Sequence, residues 1–197
     1  MKRRWIIVPV LFSVALILLF GLITRRHRQE QMREHRFDQA ILQTAQRYNI
    51  DPALIKAVIW QESRFRPEAR GAAGEIGLMQ VRDLAAEEWA EAEGLENFFH
   101  EQIMDPVKNI QAGSWYLAKV MKRYTDTDNP IPYALADYNA GRTHVLKWIK
   151  GEAKTNSEAF LNQIAFPGTR KYAENVMNRV PEYQRQFTLA AQSTPAR

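Results

Sequence analysis

Between Trp5 and Ile23 lie 19 consecutive residues, WIIVPVLFSVALILLFGLI, without a charge. Such a stretch must leave water. As a helix rising about 1.5 Å per residue it reaches roughly 28 Å, close to the hydrocarbon thickness of a bilayer. The run is longer than the core of a secretory signal. The residues that follow, Thr24-Arg25-Arg26-His27-Arg28, offer no small-x-small cleavage site. The sequence therefore reads as an uncleaved single transmembrane helix over 5–24, after a stub at 1–4. Pro9 sits in its first turns, where a missing N–H is tolerated. Charge does not orient it, because Lys2, Arg3 and Arg4 flank one end and Arg25, Arg26, Arg28, Arg33 and Arg36 the other.

The same bracketing explains the net charge of +5. Of the 27 basic residues, Lys2, Arg3, Arg4, Arg25, Arg26 and Arg28 surround the apolar run, leaving 21 against 22 acidic ones in the rest of the chain. A nucleic-acid surface needs a clustered positive field on the folded domain, so that class of partner is not expected. There is no cysteine, which removes disulfides, thiolate metal sites and thiol nucleophiles together. His27, His35, His100 and His144 stand apart, with no His-Glu-x-x-His pattern, and no metal or cofactor is expected.

Residues 25–37 are almost wholly charged or amide-bearing and read as a helical stalk. From 38 onward apolar residues recur at helical spacing with no useful strand alternation, in a domain drawn at 38–187 with a flexible tail at 188–197. Ile41, Leu42, Ala45 and Tyr48 form one stripe. Asp51-Pro52 and Asp105-Pro106 pair an N-cap with proline at the first helical position. The second of these helices should bury Val107, Ile110, Leu117, Val120 and Tyr124. A helix is expected from Met79 to Trp89, another from Pro130 to a left-handed cap at Gly141, and a last one from Thr169, halted by Pro181.

Glu62 continues the apolar stripe of Ile55, Val58 and Ile59 at the i+7 position. A carboxyl on a core-facing side is pushed toward its neutral form by burial, the state a general acid requires. Equally, it could be a surface glutamate past the last buried turn, paired with Arg64 or Arg66.

Its surroundings carry more. Glu62-Ser63-Arg64-Phe65-Arg66-Pro67 precedes a glycine-rich loop and then Gly77-Leu78-Met79-Gln80. Asp105-Pro106 through Asn109-Ile110, Gly113 and Tyr116-Leu117 follow, then Ala136-Asp137-Tyr138-Asn139-Ala140-Gly141, and late in the chain Thr169-Arg170-Lys171-Tyr172. This ordered set, over about residues 40–185, resembles the soluble lytic transglycosylase family, whose catalytic domain is related to goose-type lysozyme. The resemblance implies an all-α, lysozyme-like domain with a substrate groove for the glycan strands of peptidoglycan. Members cut the β-1,4 bond between N-acetylmuramic acid and N-acetylglucosamine.

By the same resemblance Glu62 is the single catalytic acid, which returns as a base to help close a 1,6-anhydro ring. An internal hydroxyl at high effective concentration needs no second carboxylate. Ser63 would orient the acid or merely end a helix. Met79 and Gln80 would wall the groove, with Met79 alternatively core. Tyr138 and Asn139 would lie near the reacting sugar, and Tyr172 would face the groove or the core. These seven are the expected site residues. Two positions depart from the family pattern: glycine at 71 where serine is frequent, and Glu75 where a small residue is usual. Glu75 stands outside the expected catalytic set, although a carboxylate opposite Glu62 could position water.

Trp60, Trp89, Trp115 and Trp148 could stack on sugars, but core packing is the commoner use. The implied setting is the cytoplasmic membrane, anchored through 5–24, with the domain facing the periplasm or cell wall. A lysozyme-type hydrolase and a non-catalytic glycan-binding module remain as other readings of the same residues.

Overall fold

The computed structural model describes the backbone of residues 4–193 and the side chains of 16–192 apart from His27. The chain divides into two units, 1–37 and 38–197. The first is one helix, α1 (Arg4–His35), which runs from the apolar segment into the charged one without a break. Arg26 and Glu30 pair along it at 3.2 Å.

The expected transmembrane helix is corrected here. Among the described residues no helix is long and apolar enough to cross a membrane. The described apolar side chains of α1 end at Ile23, and Arg25 and Arg26 begin a charged part of the same helix that runs to His35. The side chains of 4–15 and all of 1–3, which include the expected stub at 1–4 and most of the apolar run, lie outside the described residues.

The second unit is helical throughout: α2 (Asp38–Tyr48), α3 (Pro52–Ser63), α4 (Asp83–Ala92), α5 (Pro106–Met121), α6 (Pro130–Ala140), α7 (Arg142–Trp148), α8 (Ser157–Gln163) and α9 (Pro167–Ser193), with short 3₁₀ turns between some of them. The starts of α3, α5, α6 and α8 are made by side chains that take up unpaired N–H groups of the first turn. Asp51 accepts from Ala53 N at 2.8 Å, Asp105 from Val107 N and Lys108 N, Asn129 from Ile131 N and Asn156 from Ala159 N. Each cap contributes about 1 kcal/mol.

α3 is the centre of the domain. It packs most extensively on α9 and also on α2. Ala53 through Ile59 are buried without interruption, so the helix is enclosed on all sides rather than along one stripe. That enclosure includes Lys56, whose ammonium reaches Asp38 Oδ1 at 2.6 Å and lies over the Tyr183 and Phe187 rings at 5.2 and 5.1 Å. A buried cation needs such compensation.

Several expectations shift. Leu42 and Val107 are exposed, because Thr44 rather than Leu42 completes the buried face of α2 and Val107 lies in the solvated first turn of α5. Residues 79–81 belong to a loop that forms two isolated bridges, Arg70–Ile76 and Ile76–Val81, and α4 begins only at Asp83. Gly141 ends α6 with φ 85° and ψ 152°, an extended positive-φ state rather than the left-handed helical one. Pro181 does not halt α9, which continues to Ser193. The lost N–H is outweighed by burial of Tyr172, Ala173, Val176 and Tyr183 along its inner face. The expected tail is thus helical to 193, and residues 194–197 lie outside the described ones.

Candidate active site

A groove of about 880 Å³ opens on the domain. Glu62, from the C-terminal turn of α3, lines it together with the loop 73–75, residues 80–82, the first turns of α4, Tyr116 of α5 and the C-terminal end of α6 from Asp137 to Gly141. Helix α3 must stop there. Arg64 takes φ 54° and Phe65 φ 58°, which turns the chain out of the helix and buries the Phe65 ring.

Glu62 is half-buried, and its Oε1 accepts a 2.7 Å hydrogen bond from the Tyr172 hydroxyl, 110 residues away on α9. Its pKa is pushed up to about 7. Burial is the main cause and the nearby Glu75 charge adds to it, while the Tyr172 hydrogen bond pulls the other way. Tyr138 and Tyr172 are held well above the usual phenol range by burial first and by Glu62 second, so both remain protonated donors.

The glycine-rich loop is positioned by side chains from three helices. The buried Asn109 of α5 accepts from Met79 N at 2.8 Å and donates to Ile76 O and Ile103 O. Gly77 is required beside it. Its φ is +79°, and a Cβ there would lie 2.3 Å from Asn109 Nδ2. Ser63 Oγ donates to Leu78 O at 2.8 Å, and Tyr138 OH to Met79 O at 2.8 Å. Gln80, at φ 47°, donates its amide N–H groups back to Ala69 O and Gly77 O. What it leaves for the groove is its carbonyl oxygen.

Of the seven expected site residues, Glu62, Gln80, Tyr138 and Asn139 are brought together on the groove. Asn139 is exposed and accepts from Thr169 Oγ1 at 2.7 Å. Tyr172 is buried behind Glu62 and touches the acid rather than the opening. Ser63 and Met79 are elsewhere. Ser63 is buried and spent on the Leu78 carbonyl. Met79 is fully buried against Gly113, where a Cβ would meet its sulfur at 2.6 Å, so only its backbone serves the site. None of the four tryptophans considered for sugar stacking lines the groove. Trp89 and Trp148 are core, and Trp60 lies against the guanidinium groups of Arg64 and Arg179 at 3.3 and 3.9 Å from its centroid.

Other groove residues carried no assigned role in the sequence. The Tyr116 ring lies 5.8 Å from that of Tyr138. His100 donates from Nε2 to Val81 O at 3.0 Å. Asp137 is a buried residue of the lining, with Oδ2 held by Arg123 and Tyr124 and Oδ1 buried without a partner. Tyr116 and Asp137 stand inside the motifs quoted above. Nothing local marks His100, which enters through a 3₁₀ turn.

An all-helical, lysozyme-like domain whose open groove holds a half-buried carboxyl with a raised pKa is the class these features define. The chain belongs to the Transglycosylase SLT domain family, whose profile matches residues 39–161. It is 38% identical over 126 residues to the membrane-bound lytic murein transglycosylase F of Desulfosudis oleivorans, covering 62% of this chain and 26% of that protein. It is 30% identical over 150 residues to the soluble lytic murein transglycosylase of Escherichia coli K12, covering 73% and 23%. Among solved structures, an inactive mutant of lytic transglycosylase Slt from Pseudomonas aeruginosa superposes with a TM-score of 0.69 at 27% identity, over 76% of this chain and 24% of that one. The chain thus matches about a quarter of the length of these relatives.

Proposed function

We propose that the domain is a peptidoglycan lytic transglycosylase, cleaving the β-1,4 bond between N-acetylmuramic acid and N-acetylglucosamine and leaving a 1,6-anhydro-muramyl end. The observation that carries this reading is the Glu62 carboxyl, held near pKa 7 at the groove and hydrogen-bonded by Tyr172. A glycan-binding module would gain nothing from an acid kept protonatable at neutral pH.

Oε1 already accepts the Tyr172 hydrogen, so the acidic proton resides on Oε2. From there Glu62 protonates the glycosidic oxygen as the bond to the anomeric carbon breaks. The resulting carboxylate then takes the proton of the muramyl 6-hydroxyl, whose oxygen closes on the anomeric carbon, and Glu62 ends protonated again. Gln80 Oε1, the Asn139 amide and the Tyr138 oxygen are the polar groups that would orient the sugars. Gln80 sits on the loop that Ser63 holds through Leu78 O and that Met79 anchors in the core, whereas Tyr138 and Asn139 come from α6. The substrate lies outside the cytoplasm, and the domain works there, in the periplasm or cell wall.

The test is digestion of purified peptidoglycan with mass analysis of the released muropeptides. Anhydro-muramyl ends are expected, and Glu62→Gln is expected to reduce their release roughly 10³-fold, within the range for removal of a general acid, while the protein stays folded. Cleavage retained in the folded variant would overturn the assignment.

A further inference from the structure

Of the groove carboxylates that anhydro-ring closure leaves unused, Glu75 is the one whose charge acts on Glu62. It lines the same groove as Glu62, and its charge helps hold the Glu62 proton. Its position depends on an exchange of volume with Gly71. A Cβ at 71 would stand 2.2 Å from Glu75 Oε2 and 2.9 Å from both Glu75 Cβ and Gln80 Oε1. The backbone at 71 has no positive φ that would demand glycine. The glycine is therefore needed for the carboxylate, and the two departures from the family pattern are one feature. The loop closes around it: Gly71 N donates to Glu75 O at 2.8 Å, Ala73 N donates to Glu75 Oε2 at 3.0 Å, and Arg82 Nε lies 3.9 Å from Oε1. A carboxylate has about four acceptor positions, so these partners leave room for water.

We propose that Glu75 is a general base that activates water in the groove and gives the enzyme a hydrolytic branch beside anhydro-ring closure. This rests on the reading of Glu62 as the acid. In that branch Glu62 gives its proton to the glycosidic oxygen as the bond breaks. A water oxygen bonds to the anomeric carbon, and the proton it loses passes to Glu75. The product carries a free reducing end. Glu75 then releases its proton to solvent and Glu62 regains one, so one water is consumed per bond cut. Hydrolytic glycosidases use two carboxylates at the scissile bond, and Glu62 and Glu75 line one groove. Here the muramyl 6-hydroxyl and the water compete for the same carbon.

The full chain digests purified peptidoglycan, the products are reduced with borohydride, and anhydro-muramyl and muramitol ends are counted by mass above those of undigested wall. Wild type is expected to give both. Glu75→Gln keeps the shape and the acceptor for Ala73 N–H but removes the base, and is expected to lower the muramitol-to-anhydro ratio at least three-fold. The double variant Gly71→Ser/Glu75→Ala refills the space and is expected to do the same. Only anhydro ends from wild type, or a ratio moving less than three-fold in both variants, overturns the proposal and leaves the transglycosylase reading standing. No new ends of either kind from wild type overturns both.

Discussion

Two regions support the groove by opposite means, a packed wall behind Glu62 and a hydrogen-bonded one beside it. On one side α3 lies against α9, and its residues Ala53 to Ile59, which do not line the groove, are sealed from water by packing. On the other, the loop 69–81 has little regular structure and is held by hydrogen bonds between its backbone and the side chains of Ser63, Gln80, Asn109 and Tyr138. Each suits what it carries. The dry wall raises the Glu62 pKa, because burial disfavours the charged form. The bonded wall presents polar groups through backbone states a helix cannot provide, Gly74 at φ +87°, Gly77 at +79° and Gln80 at +47°.

If packing holds the first wall, Ile55→Ala should have the largest effect on stability, a loss of about 4 kcal/mol in urea unfolding at any pH. Asn109→Ala should cost about 3 kcal/mol, since it strands Met79 N–H and two carbonyls, and should speed hydrogen exchange at the Met79 amide. A neutral Asn109→Ala would mean that the loop does not depend on its side-chain bonds. The burial of Glu62 gives a test with a sign. Its folded pKa of about 7 lies above the ordinary 4.5, so its contribution is fully present below about pH 4.5 and lost as pH rises through 7. Glu62→Gln should therefore gain on wild type by about 2–3 kcal/mol between pH 4 and pH 8. The smallest effect is Tyr172→Phe. The phenol favours the carboxylate, so its removal should move the alkaline limb of activity to higher pH. A move to lower pH would break the assignment of the phenol as a partner that favours the charged form of Glu62.

What could be read in the sequence was local or carried by motif order. Asp51 and Asp105 cap their helices within three residues of themselves, and the Glu62 stripe is a matter of spacing along one helix. The rest depends on distance. Asn109 reaches a loop 30 residues earlier, and Tyr172 meets Glu62 across 110. No periodicity shows that Gly71 yields its space to Glu75, or that Met79 tucks beneath Gly113 while only its backbone serves the groove. Pro181 misleads because a proline signals a helix end only where tertiary packing does not hold the helix together.

Tyr138 has a single hydroxyl hydrogen, and it is committed to the Met79 carbonyl. Toward anything entering the groove this phenol is a pair of lone pairs and nothing else. It will discriminate by what a ligand can give: an inhibitor offering an amide N–H or a hydroxyl at that spot should gain affinity, and one offering a ketone or ether should be turned away.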